Sequence, residues 1–273
     1  MTTTDSDGPY TAIRQAFSMP KRVAASDVQL QALAGAQRTV LDYHGVDLVC
    51  WTLGSGPRVV LAHGWNSRGA HLSAFIAPLV AAGYSVTLLD FPGHGESGDA
   101  ASSVVHMGRA LLFLCQSLGE IHGVIGHSAG AGAALWAFNH GLEVTASVHL
   151  NGPSSLSPMV HGMAAGFGLD AAQAQAFHNW VEGFIEQPVA AADLPILKRG
   201  LRHPGLIIHD ADDKVVPFAA AEALNAAWAG SVLIQVSGLG HSKVLLDPQV
   251  VALSVSFVAG NRAACQAHRA TDA

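Results

Sequence analysis

From about residue 39 the chain changes from polar and amphipathic to short apolar runs broken by glycine and proline. Runs at 38–43, 46–53 and 58–62 predict three strands, separated by a His44-Gly45 turn and by Gly54-Ser55-Gly56-Pro57. Those tight connections predict an antiparallel start. Strand and helix patterns then alternate. A helix over 71–82 leads to a strand at 85–90, and a helix over 103–118 leads to a strand at 121–127. A helix from 129 leads to a strand at 145–150. Later come a strand at 205–209, a helix at 218–228, a strand at 231–236 and a last helix at 247–259. Continuous apolar strands interleaved with helices predict an α/β fold, its mainly parallel sheet covered on both faces.

One stretch breaks the alternation. Residues 154–200 contain no clear strand but carry helical stripes, with Met159, Met163 and Phe167 four apart and Phe177, Trp180, Phe184 and Ile185 on one face. This reads as a helical cap inserted at the carboxyl edge of the sheet, where open α/β folds bind ligands; ordinary packing of extra helices reads equally well. The organisation expected is an N-terminal extension over 1–38, partly disordered and then helical. A core follows over 39–153 and 201–262, with the cap over 154–200 and a tail over 263–273.

Composition narrows the function. Half of the 273 residues are hydrophobic and only 12% are charged, against roughly a quarter in an average globular chain. A deep core follows, with room for an apolar cleft or a homodimer interface. A net charge of −6 without any dense Lys/Arg run excludes an electrostatic footprint for nucleic acid. The polar, acidic start does not read as a signal peptide, and no apolar stretch is long enough for a membrane span, so a cytoplasmic location is expected. Cys50, Cys115 and Cys265 are scattered without metal-ligand spacing and read as idle thiols, with Cys115 in the core. No metal and no cofactor is expected.

The candidate chemistry lies at strand ends. In "GHSAG" (126–130) Ser128 directly follows one strand and precedes a helix, the setting of a nucleophile on a sharp turn; a serine that merely caps the helix is the plainer alternative. "GLGHSK" (238–243) offers His241 as a base after the last strand. "HDADDKVVP" (209–217) offers Asp210, Asp212 and Asp213, with Asp213 preferred as the acid that orients the base and Asp212 next. In "AHGWNS" (62–67), Gly64 allows a close approach, so that the backbone N–H groups of Trp65 and Ala129 form an oxyanion hole; a simple turn at His63-Gly64 is the alternative. Acyl transfer by serine needs these four parts to converge.

With "HGW" at 63–65, "DFPGHGES" at 90–97, "GHSAG", Asp213-x-x-Val216-Pro217 and "GLGHSKVL" at 238–245, the chain resembles the α/β-hydrolase superfamily over roughly residues 38–260. The resemblance implies an eight-stranded, mostly parallel sheet with a cap after the sixth strand. It also implies Ser128, Asp213 and His241 as catalytic residues, with Trp65 and Ala129 as oxyanion donors. A single glycine after His63 departs from the longer glycine run of bulky-ester lipases. A serine in place of aspartate at the elbow argues against dehalogenase and epoxide hydrolase chemistry. His94 is given a loop-shaping role only.

The expected function is hydrolysis of small to medium, largely uncharged carboxylic esters through an acyl-enzyme, in a pocket lined by Met159, Met163, Phe167 and Trp180. Lactone hydrolysis, carbon–carbon bond hydrolysis and peracid formation use the same groups. A non-enzymatic binding protein of the same fold is the alternative from another class.

Overall fold

The computed structural model describes residues 8–271, and side chains for residues 8–262. Eight strands form one sheet: β1 (Gln37–Tyr43), β2 (Val46–Gly54), β3 (Arg58–Ala62), β4 (Ser85–Leu89), β5 (Gly123–His127), β6 (Ala146–Leu150), β7 (Gly205–Asp210) and β8 (Ser231–Val236). Their order is β1-β2-β4-β3-β5-β6-β7-β8. The β1–β2 and β2–β4 pairs are antiparallel and all the others parallel. The expected antiparallel start holds for β1 and β2 but not for β2 and β3. The Gly54–Pro57 turn does not close a hairpin, because β4 enters between them and pairs with both.

The helices are α1 (Gly8–Ser18), α2 (Asp27–Ala32), α3 (Ile76–Ala81), α4 (Val104–Leu118), α5 (Ala129–Asn139), α6 (Ser157–Gly166), α7 (Ala171–Ile185), α8 (Leu194–Leu197), α9 (Ala219–Ala227), α10 (Gly240–Lys243) and α11 (Pro248–Thr271). The helix expected over 71–82 is split. A 3₁₀ stretch at Gly69–Phe75, with Leu72 off helical dihedrals, precedes α3. The last helix runs further than expected, into the segment read as a tail. The tip expected to be disordered and the Cys265 side chain lie outside the described residues.

Strand alternation divides the core. Val60, Ala62, Leu89 and Val124 face Leu111, Leu114 and Ala133 of α4 and α5. Val59, Leu61, Val86 and Ile125 face Leu72, Leu79 and Val258 on the other side. Every residue of β4, β5, β6 and β7 is buried, as a sheet covered on both faces requires. A third apolar cluster joins α6 and α7 to Leu135 and Trp136 of α5 and to Ile13 and Phe17 of α1. Within that layer α7 starts on a capping box, Asp170 with Gln173. The Asp193 carboxylate fastens α6 by accepting from Leu156 N, Ser157 N and Ser157 Oγ.

Candidate active site

The carboxyl ends of β3, β5, β6, β7 and β8 point to one edge of the sheet, and the candidate residues lie on the loops leaving them. Ser128 leaves β5 with φ 52° and ψ −125°, a conformation that costs a non-glycine residue about 1–3 kcal/mol. Its side chain makes no capping bond to α5. Instead Oγ lies 2.9 Å from His241 Nε2. The turn closes only because its neighbours lack side chains. A Cβ on Gly130 would lie 2.2 Å from the Ala62 carbonyl oxygen, and one on Gly64 would lie 2.9 Å from Ser128 Cβ.

His241 Nδ1 lies 2.7 Å from Asp213 Oδ2. A carboxylate can only accept, so Nδ1 carries the proton and Nε2 is left to accept from the Ser128 hydroxyl. Asp213 is fixed in turn, its Oδ1 accepting from Val215 N and Val216 N. Asp212 is exposed, and its own N–H donates to Asp210; it takes no part in holding the imidazole. Ala129 is the first residue of α5, so its N–H has no acceptor inside the helix. Trp65 lies on the loop after β3. That loop is set by His63, whose Nδ1–H donates to Gly64 O while Nε2 accepts from Phe91 N. Burial holds the His63 imidazole well below its ordinary pKa, and so neutral. His94 packs edge-on to both His63 and Trp65.

Three residues clamp the base loop: His127 and Asn151, given no role in the sequence reading, and Asp210, offered there only as a candidate acid. His127 Nε2–H donates to the His241 carbonyl at 2.8 Å. Asn151 Nδ2 donates to Gly240 O and His241 O, while its Oδ1 accepts from Asp210 N. Asp210 Oδ2 accepts from Leu239 N and Gly240 N. Burial opposes ionisation of Asp210, but the three N–H donors, Asp212 N included, outweigh it and hold the carboxyl below its ordinary pKa. For His127, burial lowers the pKa to about 4, so this imidazole stays neutral at pH 7. Asn151 was legible by the same strand-end logic, since it directly follows Leu150. The elbow histidine carried no such signal.

A cavity of about 570 Å³ opens beside Ser128 and Ala129. Its wall includes Trp65, Met159 and Met163, but neither Phe167 nor Trp180. Phe167 follows the last residue of α6, where helical spacing no longer keeps it on the Met159–Met163 face, and it is 38% exposed. Trp180 stands behind the wall, stacked on Phe184 and edge-on to Phe17. Further wall comes from Val215–Pro217 after β7, Pro153–Ser155 after β6, Ser103 and Val104 at the start of α4, and Ala16 and Phe17 of α1, the last two in the stretch read as an N-terminal extension. Among the described residues no Asp, Glu, Lys, Arg or His lines it.

Cys50 and Cys115 are buried free thiols. Burial pushes Cys115 up to about 12, which leaves it no nucleophilic thiolate. Among the described residues no helix is long and apolar enough to cross a membrane.

Comparison with known proteins places the fold. A pimeloyl-[acyl-carrier protein] methyl ester esterase of Methylococcus capsulatus is 48% identical over 46 residues, 17% of this chain and 18% of that protein. A fluoroacetate dehalogenase of a Burkholderia species is 29% identical over 92 residues, 34% and 30% of the two chains. These matched stretches span less than a third of the length of either relative. The solved esterase of Exiguobacterium antarcticum superposes with a TM-score of 0.59 at 25% identity, over 79% of this chain and 96% of that one. The model of the alpha/beta hydrolase family matches residues 59–253, which holds the elbow, the acid loop and the base loop. The chain belongs to the alpha/beta hydrolase family.

Proposed function

We propose that the protein is a serine hydrolase that cleaves carboxylic esters of small to medium, largely uncharged substrates. One observation carries the reading: His241 bridges Ser128 at 2.9 Å and Asp213 at 2.7 Å in the tautomer a general base requires. In this mechanism His241 Nε2 takes the hydroxyl proton as Ser128 Oγ attacks the ester carbonyl. The developing oxyanion accepts from the Trp65 and Ala129 N–H groups, and Asp213 stabilises the imidazolium. His241 then protonates the leaving alkoxide, which departs as the alcohol. Water, deprotonated by the same nitrogen, cleaves the acyl-enzyme to release the acid and restore Ser128.

The substrate class rests on the cavity, whose uncharged wall offers no partner to a carboxylate or ammonium group. The names of the similar methyl ester esterase and of the Exiguobacterium esterase support an ester as the bond attacked. The likeness to a dehalogenase does not displace this reading, because the elbow presents a hydroxyl and not a carboxylate.

A fluorophosphonate probe should label the protein stoichiometrically, with the adduct mapping to Ser128. Ser128→Ala should abolish labelling and lower p-nitrophenyl acetate turnover on the order of 10⁶-fold. Hydrolysis by Ser128→Ala at the wild-type rate would sink the proposal. Absence of both labelling and turnover in the wild type would favour a binding protein of the same fold. Lactones, β-diketones and acetate with peroxide, assayed beside an ester series, separate the chemistries that share these groups.

A further inference from the structure

The family match begins at residue 59, yet the chain before it reaches the cavity. Phe17 and Ala16, on the last turns of α1, form part of the wall that holds Ser128, Met159 and Met163. Phe17 is buried, and its ring meets Phe177, Trp180 and Phe184 of α7 edge-on at 5.8, 6.1 and 6.2 Å. Such aromatic pairs prefer this geometry and resist displacement. Arg14 lies over the Trp180 ring at 4.7 Å, and Tyr10 donates to Ala176 O. The first helix is thus bonded to the cap along its length.

The segment after α1 is fastened to the opposite side of the site. Ser102 N donates to Ser18 O at 2.7 Å, and Lys21 N donates to Asn66 Oδ1 at 2.7 Å. Asn66 directly follows Trp65 and holds a left-handed φ of 51°. Arg22 donates to the carbonyls of His94, Gly95 and Ser97 and pairs with Asp99. A segment held at six residues, Tyr10, Arg14, Phe17, Ser18, Lys21 and Arg22, is a fixed part of the wall, not a tail lying on it.

We propose that Ala16 and Phe17 are specificity-determining residues: they close the apolar cavity opposite the core and set the length and bulk of the ester's hydrophobic arm. This rests on the ester hydrolase reading given above. Phe17 supplies the aromatic surface against which that arm packs. Ala16 is small and lies at the solvent-exposed rim, so a larger side chain there would shorten the cavity without disturbing the core.

The test uses the full-length protein with p-nitrophenyl esters from acetate to decanoate, and alkyl acetates of matching length. Calorimetric titration with the neutral primary alcohols from butan-1-ol to decan-1-ol, which suit an uncharged wall, runs in parallel as a readout that needs no turnover. In Ala16→Leu and Ala16→Phe the ratio of kcat/KM for the longest to the shortest substrate should fall by about tenfold or more, as a clash of one or two methylenes commands. In Phe17→Leu the optimum should move to longer or bulkier arms. Circular dichroism and the melting temperature identify any variant that fails to fold; the rim variants carry the test if Phe17→Leu does. Unchanged chain-length profiles in both ester series and in the titrations overturn the inference while leaving ester hydrolysis intact. If the wild type neither hydrolyses esters nor takes the fluorophosphonate, the hydrolase reading falls. The titrations then decide alone: a shift of alcohol chain-length preference with residue 16 supports the wall, and no shift overturns it.

Discussion

The two sides of the cavity are held by different forces. On the sheet side each functional group is fixed by hydrogen bonds from backbone or buried polar atoms. Asp213 takes two N–H donors, the base loop is clamped by His127, Asn151 and Asp210, and the elbow closes on Gly130 and Gly64. On the cap side the wall is held chiefly by apolar and aromatic packing among α1, α6 and α7. Directional bonds specify one geometry to a fraction of an ångström, as acid–base chemistry needs. Packing specifies volume and tolerates exchange of one apolar side chain for another of similar size. The molecule therefore combines a side suited to a single reaction with a side suited to adjustment.

Substitutions should reveal that contrast in their size. The largest effect after loss of the proposed nucleophile should come from the proposed acid. Asp213→Asn should lower kcat for p-nitrophenyl acetate by about 10⁴-fold, because the amide no longer selects the required tautomer. Asp212→Asn, one residue away and exposed, should stay within about threefold of wild type. Comparable losses in the two variants would break the assignment. Next comes Asn151→Ala, which removes the side-chain donor to Gly240 O and leaves His241 O with His127 alone. A loss on the order of 10²-fold in kcat with little change in KM is expected, since displacement of the base affects the reaction more than binding. A rise in KM alone would show that Asn151 serves the pocket and not the base.

The smallest effect for any one residue is thermodynamic, at most about 1.4 kcal/mol per pH unit. His94, His106, His127 and His203 are lowered to about 4 and His149 to about 3, each by burial first. A folded pKa depressed below the unfolded value of 6.5 makes the unfolded chain bind protons first as acid is added. Folding stability should thus be flat above pH 7 and fall as the pH drops from about 6.5 towards 4. Each such histidine adds up to about 1.4 kcal/mol per pH unit to that slope. Urea midpoints measured between pH 8 and 4.5 would check this. His149→Phe should flatten the slope, and an unchanged slope would show that this imidazole is protonated in the native protein.

The same division decides how much the sequence could reveal. The strand pattern from residue 38 to 236 was legible, because buried parallel strands are written as unbroken apolar runs. Ser128, Asp213 and His241 were legible as well, because each follows such a run, and the structure brings the three together. The place of β4 between β2 and β3 was not, since a Gly-Pro turn reads the same whether or not a hairpin closes. The cap was legible as helices, but its wall was not. Met159 and Met163 keep to one face of α6, whereas the same four-residue step carries Phe167 past the helix end and into solvent. Phe17 could not be found by periodicity at all. Its partners on α7 lie about 160 residues away, and an amphipathic stripe states that a face is covered without stating by what.

The bonding of α1 to α7 has a practical consequence for anyone reshaping this pocket. The two helices come from segments far apart in the chain that interrupt none of the sheet, and they meet through four interlocked aromatic rings. Grafting a foreign cap onto residues 157–200 alone would leave Phe17 facing a stranger, and trimming the N-terminus would leave Trp180 uncovered. Exchange of substrate preference should succeed when residues 8–22 and 157–200 are transplanted as a matched pair, with the chemistry beneath them carried over unchanged.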